Sequence, residues 1–339
     1  MIQQRKAAIG ITAMVAAAAL AACSSGSTSA SSSANASGAS AAGAGAAGKT
    51  VVYIPGLTGN PFYTSVGCGA AAEANKMGVK FSVQGAATFS VPLQTQVLTA
   101  VTASKPSAIM ISITDPVAML APLAKAKADG IKIVTIDGDL ANKSVGVTNI
   151  QSNDITGGKL AADALGPLVG GKGQVLIIDN ATGSIISGDR AKGFEDELKA
   201  KFPNMKVLNI QYSNNSTAAA ASIARTAATS NPNLVGIYTL ETDNTEGAIT
   251  GIREAGKTGK VKLVGYDTSD PIVAGLQDGA VSADIVQYPY GEGMLGIKSA
   301  VAAIEGKPVP RDQAASFVVA TPANVSTAEV QKYIYKTHC

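Results

Sequence analysis

Polar side chains recur just past apolar, β-branched runs in this chain. Asn60 follows TVVYI, Asp137 and Asp139 follow IKIVTI, and Asp179 and Asn180 follow VLII. Glu241 and Asp243 follow GIYTL, Asp267 follows KLVGY, and Gln287 closes ADIV. Phe62 and Tyr63 stand beside Asn60 in a chain that has no Trp and only 4% aromatic residues. Arg190, in DRAKGF, adds a cation that always carries its charge. Carboxylates and amides accept from hydroxyls, a guanidinium donates to them, and aromatic rings cover C–H faces. Together these residue types suit a neutral, polyhydroxylated ligand. An Asp after a strand can instead cap the next helix, and Asp115 before Pro116 reads that way.

Other chemistries find less support. The single His, His338, lies one residue from the end, which excludes a multi-His metal site and argues against a Ser-His-Asp or Cys-His centre. Gly67-Cys68-Gly69 resembles a fragment of a dinucleotide fingerprint, but it falls inside an expected helix and position 72 is Ala72. GGKG at 170–173 lacks the Ser/Thr and the spacing of a phosphate loop. Asp137 and Asp139 are the remaining acid–base pair, and their i, i+2 spacing does not single them out. The expectation is a binding protein with no cofactor and no metal, not an enzyme.

The elements that must position these groups follow from hydrophobic patterning. Apolar strand-like runs are expected at 50–54, 80–84, 108–113, 132–136, 174–179, 206–211, 234–240, 262–266 and 282–287, with Phe317-Val318-Val319 as a last strand. Helix-like segments fill the gaps, among them 61–77, 117–129, 188–201, 216–230, 245–256, 291–305 and 328–336. Pro61 suits a first helical position and Gly78 a stop. Strands alternating with such helices imply α/β architecture with parallel sheets and right-handed crossovers. The rhythm runs twice, with a second set opening after Gly157-Gly158 and polar crossings near 149–154, 287–289 and 315–317. Two doubly wound lobes joined by a three-strand hinge are expected: 49–150 plus 288–316, and 151–287 plus 317–339. Parallel topology gathers the strand ends on one edge of each sheet, so both edges can face one cleft.

The N-terminus carries Arg5 and Lys6, an apolar run from Ala7 to Leu20, then Leu20-Ala21-Ala22-Cys23. That order describes a secretory signal over 1–22. Cys directly after Leu-Ala-Ala resembles a bacterial lipoprotein signal, which implies lipidation of Cys23; an uncleaved signal anchor is the alternative. Residues 23–48 are nearly all Ser, Ala and Gly and read as a tether. Without Arg5 and Lys6 the chain holds 25 basic and 24 acidic side chains, which gives no argument for nucleic acid. Cys68 and Cys339 remain, and an exported compartment favours a disulfide between them over two free thiols.

Six segments spread over the folded chain carry a family resemblance: GNPFY (59–63), IKIVTID (131–137), NDITGGKLAAD (153–163), RAKGF (190–194), KLVGYD (262–267) and IVQYP (285–289). The chain resembles the sugar-binding lipoproteins of bacterial ABC transporters, in the ribose-binding, periplasmic-binding-protein type I family. The resemblance implies ligand contacts from Asn60, Phe62, Tyr63, Asp137, Arg190, Asp267 and Gln287, and a further one at Glu241, where ribose binders carry Asn. Asn215 falls where ribose binders place a stacking Phe, and Asp137-Gly138 stands where they carry Asp-Arg. These departures point away from ribose toward a pentose isomer, a polyol or another small polar solute. The implied partners are that solute, ABC permease subunits, and the membrane through the N-terminal lipid, for a monomeric extracytoplasmic protein. A sensor subunit presenting its ligand to a membrane receptor is the alternative. A transcription regulator of similar fold would need a basic DNA-binding segment where the signal stands.

Overall fold

The computed structural model describes residues 48–339. The signal sequence, Cys23 and nearly all of the tether lie outside them. The elements run β1 (Thr50–Ile54), α1 (Pro61–Met77), β2 (Lys80–Val83), α2 (Val91–Ala103), β3 (Ala108–Ile111), α3 (Leu120–Ala128), β4 (Lys132–Ile136) and β5 (Thr148–Ser152). There follow α4 (Asp154–Leu168), β6 (Lys172–Asp179), α5 (Ile185–Lys201), β7 (Asn204–Val207), β8 (Gln211–Tyr212), α6 (Thr217–Ser230), β9 (Leu234–Thr239) and α7 (Thr242–Glu254). The chain closes with β10 (Lys262–Tyr266), α8 (Asp270–Gln277), β11 (Ala283–Gln287), α9 (Pro289–Ile304), β12 (Asp312–Ala315), β13 (Phe317–Ala320) and α10 (Ala328–Gln331).

Two sheets result. The first has the order β12-β5-β4-β3-β1-β2 and is parallel throughout. The second has the order β13-β11-β10-β9-β6-β7, with β8 also pairing β6 and only β13 antiparallel. The central strands are buried on both faces: Val51 to Ile54, Ile109 to Ile111 and Ile177 to Ile178 are 2% exposed or less. Burial on both faces explains their unbroken apolar runs. The chain passes between the lobes after β5, after β11 and between β12 and β13.

Several boundaries differ from the sequence reading. Strand β5 continues to Ser152, so the first sheet extends two residues past position 150. The expected strand 206–211 is broken into β7 and β8, which pair with successive parts of β6. The polar strand β12 carries too little apolar pattern to be read, and its pairing with β5 creates it. Gly157 and Gly158 do not precede the second set; they lie inside α4 and serve close packing. A Cβ on Gly158 would sit 2.0 Å from the Arg190 carbonyl, and one on Gly193 would sit 2.1 Å from that of Ile155. Helices α4 and α5 thus touch backbone to backbone, which brings Asp154 to Arg190. Gly69 has the same role against α9, 1.9 Å from the Tyr290 carbonyl by the same measure. Packing accounts for that glycine, where a cofactor fingerprint does not.

The tail departs most. Helix α10 stops at Gln331 rather than continuing to Lys336. Beyond it the chain leaves the second lobe and docks on α1 of the first. The Lys336 amide donates to Ser65 Oγ at 2.6 Å, and Cys339 is bonded to Cys68 with Cα atoms 5.4 Å apart. The terminal segment assigned from sequence to the second lobe therefore ends on the first. Continuing the helix would carry Tyr333 and Tyr335 away from Tyr288 and Phe62, the rings they pack against.

Two expectations follow. Gly158→Val forces α4 and α5 apart and should lower stability by about 1–3 kcal/mol, read from the urea midpoint. Intact mass spectrometry after alkylation without reduction should find neither Cys68 nor Cys339 modified; alkylation of both is incompatible with the bond.

Candidate functional site

The site assembles where the C-terminal ends of the two sheets face each other. From the first lobe, the β1–α1 turn supplies Asn60, Phe62 and Tyr63. Asn60 is the N-cap of α1, its Oδ1 accepting from the amides of Phe62 at 2.9 Å and Tyr63 at 3.3 Å. Its Nδ2 has no hydrogen-bond partner among the described residues. The Phe62 ring, 8% exposed, lies edge-on to Tyr63 at 5.5 Å. Gly56 keeps this turn open: a Cβ there would meet Phe89 at 2.7 Å and the Tyr63 hydroxyl at 2.9 Å. Phe89 is 54% exposed, an aromatic beside the site that the sequence reading did not single out.

Asp137 and Asp267 occupy matching places in the two lobes. Each follows a central strand, β4 or β10, and each has a positive φ, 61° and 67°. Each donates its amide across to the neighbouring strand, Asp137 to Ile150 at 2.9 Å and Asp267 to Ile285 at 3.0 Å. A non-glycine residue in this left-handed region is strained, and such strain concentrates at functional sites. Neither aspartate caps a helix, and Asp115, expected to do so, caps only the turn ahead of α3: its Oδ1 accepts from Val117 and Ala118, while the N-cap position of α3 is Met119. Asp139 turns away to Arg311 at 2.9 Å and Lys143 at 3.3 Å, so it forms no acid–base pair with Asp137.

Arg190 is the hub of the second lobe. It is 3% exposed, with its guanidinium carbon 3.9 Å above the centre of the Tyr266 ring. Nε donates to Asp154 at 2.8 Å, and Nη1 donates to the Leu240 carbonyl at 2.8 Å while meeting Glu241 at 3.1 Å and Asp267 at 3.9 Å. Nη2 has no partner among the described residues. Glu241 stands at the α7 N-cap position but makes no side-chain cap bond, which frees it for Arg190. Asp267 Oδ1 accepts from Gln287 Nε2 at 2.8 Å and from the Tyr335 hydroxyl at 2.7 Å. Asp154 and Tyr335 are the participants that sequence reasoning missed. From sequence Asp154 falls in a polar crossing, and Tyr335 reaches Asp267 only because the tail folds back. Asn215 is not drawn in: it is exposed, has φ 58°, and accepts from Asn180 Nδ2 at 3.2 Å.

The cluster carries more acid than base. Burial pushes the Asp137 carboxyl well above the usual range, and Asp154, Asp267 and Glu241 across the cleft add to this while Arg190 opposes it. Burial, opposed by Arg190, raises Glu241 from 4.5 to about 7. Burial and then Asp137 push up Glu292, which is fully buried beside Ser152 at the hinge. Burial and Asp267 push the Tyr335 hydroxyl up, so it keeps the proton that it donates. No group of three or more His, Cys, Asp or Glu among the described residues is arranged to hold a metal ion. The arrangement offers acceptors from both lobes, a guanidinium edge, an amide and aromatic faces, and it contains no nucleophile–base pair.

The periplasmic binding protein domain model matches residues 51–308. The chain belongs to the periplasmic binding protein family, in its type I sugar-binding branch, and is a solute-binding protein of the sugar ABC transporter class, not an enzyme. Its solved relatives include an ABC transporter solute-binding protein of Agrobacterium vitis bound to α-D-tagatopyranose, 32% identical, with a TM-score of 0.78 over 85% of this chain and 99% of that one. A carbohydrate transporter solute-binding protein of Agrobacterium radiobacter, in complex with D-arabinose, is 30% identical with a TM-score of 0.76 over 85% and 99%. The ribose import binding protein of Escherichia coli is 25% identical over 77% of this chain and 86% of its own length.

The raised acids set a pH dependence. Between pH 4.5 and about 7 the folded protein holds a proton on Glu241 that the unfolded chain has lost. The folded state then binds more protons, so stability falls as pH rises through that window. The unfolding midpoint of the ligand-free protein should drop from about pH 5 to about pH 8, and Glu241→Gln should flatten the slope. A midpoint that climbs over this range would contradict the assignment.

Proposed function

We propose that the protein captures a neutral monosaccharide or polyol of pentose or hexose size between its lobes and delivers it to an ABC permease. The observation that carries this reading is the convergence of Asn60, Phe62, Tyr63 and Asp137 from one lobe with Arg190, Glu241, Asp267 and Gln287 from the other. Asn215, at the rim, contacts only a solute that extends toward Asn180. Hydroxyls that both donate and accept match a site with carboxylate acceptors, an Arg190 Nη2 donor and an Asn60 Nδ2 donor. Contacts divided between lobes favour the closed state only when both sets are made, which couples binding to hinge closure. The sugars held by the Agrobacterium proteins and named for the ribose and allose binders support this ligand class.

The reading extends to the cell envelope. The Leu-Ala-Ala-Cys segment at 20–23 supports lipidation of Cys23 after cleavage of residues 1–22, with the Ser/Ala/Gly tether holding a monomeric binding protein near its permease. No helix among the described residues is long and apolar enough to cross a membrane.

Isothermal titration of residues 49–339 with D-ribose, D-allose, D-arabinose, D-tagatose and pentitols tests the ligand class. At least one should bind, and Arg190→Ala and Asp267→Ala should each weaken it by about tenfold or more, the cost of unpairing buried polar groups. Affinities within about twofold of wild type would remove those residues from the site.

A further inference from the structure

The C-terminal tail reaches further than a terminal clasp would. From Lys332 to Cys339 it bridges the lobes. One end continues from α10 and β13 of the second lobe, and the other is bonded to Cys68 of α1 in the first. Along the way Tyr333 packs against Tyr288 at 4.6 Å and shares a hydrogen bond with Ser316 at 3.0 Å, both residues at interlobe crossings. Tyr335 then points inward and is 8% exposed. Its ring meets Phe62 edge-on at 5.6 Å, and its hydroxyl donates to Asp267 at 2.7 Å. One side chain thus touches an aromatic of the first lobe and a carboxylate of the second, both in the proposed ligand site.

We propose that Tyr335, carried on a strap locked to α1 by the Cys68–Cys339 bond, is a positioning residue of the solute site that orients Asp267 for the ligand. The proposal rests on the reading of the cleft given above. Asp267 sits in a strained backbone conformation, and its carboxylate must present one oxygen outward. Oδ1 is occupied by Tyr335 and Gln287 from the hinge side, which turns Oδ2 toward Arg190 Nη1 and the cleft. Without the Tyr335 hydroxyl the carboxylate keeps only the Gln287 bond and can rotate away. The disulfide matters because the strap past Gln331 has no regular secondary structure of its own. Its far end is held by the bond and by the Lys336 amide on Ser65. The same connection is a fourth link between the lobes, so it also limits how far they part when no ligand is bound.

The test compares Tyr335→Phe, which keeps the ring, with Tyr333→Phe on the same strap and with Cys339→Ser. The probe is the tightest wild-type binder among D-ribose, D-allose, D-arabinose and D-tagatose, titrated calorimetrically. Tyr335→Phe should lose about tenfold in affinity, Tyr333→Phe should stay within about twofold, and Cys339→Ser should fall between them. A role confined to packing would instead make affinity track the unfolding midpoint across all three variants. Small-angle scattering of ligand-free Cys339→Ser should give a larger radius of gyration than wild type. Tyr335→Phe within about twofold of a wild type that binds the probe overturns this inference and leaves the cleft reading intact. A wild type that binds none of the four sugars overturns the cleft reading and this proposal with it.

Discussion

A buried guanidinium needs close partners, and Arg190 sets that requirement for the elements around it in the second lobe, with Nη2 alone left without a partner among the described residues. Removing its charge from water costs several kcal/mol unless close counter-charges and hydrogen bonds replace the hydration. Asp154 from the start of α4, Glu241 from the start of α7 and the Leu240 carbonyl do so, with the Tyr266 ring beneath. Each partner needs its own support. Asp154 reaches Arg190 because Gly158 and Gly193 let α4 and α5 approach to backbone contact. Tyr266 fits under the guanidinium because position 157 is glycine, where a Cβ would lie 2.3 Å from the Tyr266 hydroxyl. Small residues in helices and a charged residue in the cleft are one construction.

That construction leaves the cleft with more carboxylates than one cation can balance, and this suits a neutral polar solute. Asp154, Glu241 and Asp267 surround a single Arg190, with Asp137 across the cleft, and burial raises the pKa of Asp137, Asp154 and Glu241. A carboxyl here accepts when ionised and donates when protonated, and a polyol's hydroxyls, which do both, match either form. Paired aspartates at positive φ in both lobes place one acceptor on each wall, so a solute between them satisfies groups that the separated lobes leave to water. In the proposed function, hinge closure and recognition are then the same event.

Compartment chemistry enters through the tail. An exported protein keeps its disulfides, and a bond spanning 271 residues constrains the unfolded chain strongly in the simple loop model. Its placement gives it a second consequence, because it fixes the segment that carries Tyr335 to Asp267 and Phe62.

The sequence alone determined the α/β alternation, the two lobes and most of the polar strand ends. Those features are local: a doubly buried strand must be continuously apolar, and the residue after it must turn the chain at the sheet's edge. Asp137, Asp267 and Gln287 could be named because each directly follows or ends such a strand, Glu241 because it stands two residues past one, and Asn60 because it closes the turn between β1 and α1. Tertiary structure decided what lay beyond that range. Asp139 could be told from Asp137 only once Arg311, distant in sequence, had drawn it away. Asn215 stands outside the cluster because β7 and β8 break where one strand was expected, leaving it exposed beside Asn180. Tyr335 meets Asp267 and Phe62 because the tail leaves α10 and is bonded to Cys68, and no periodicity in YIYKTHC records that. Pattern reports what a residue does to its neighbours in the chain; burial, charge and reach across a cleft depend on residues hundreds of positions away.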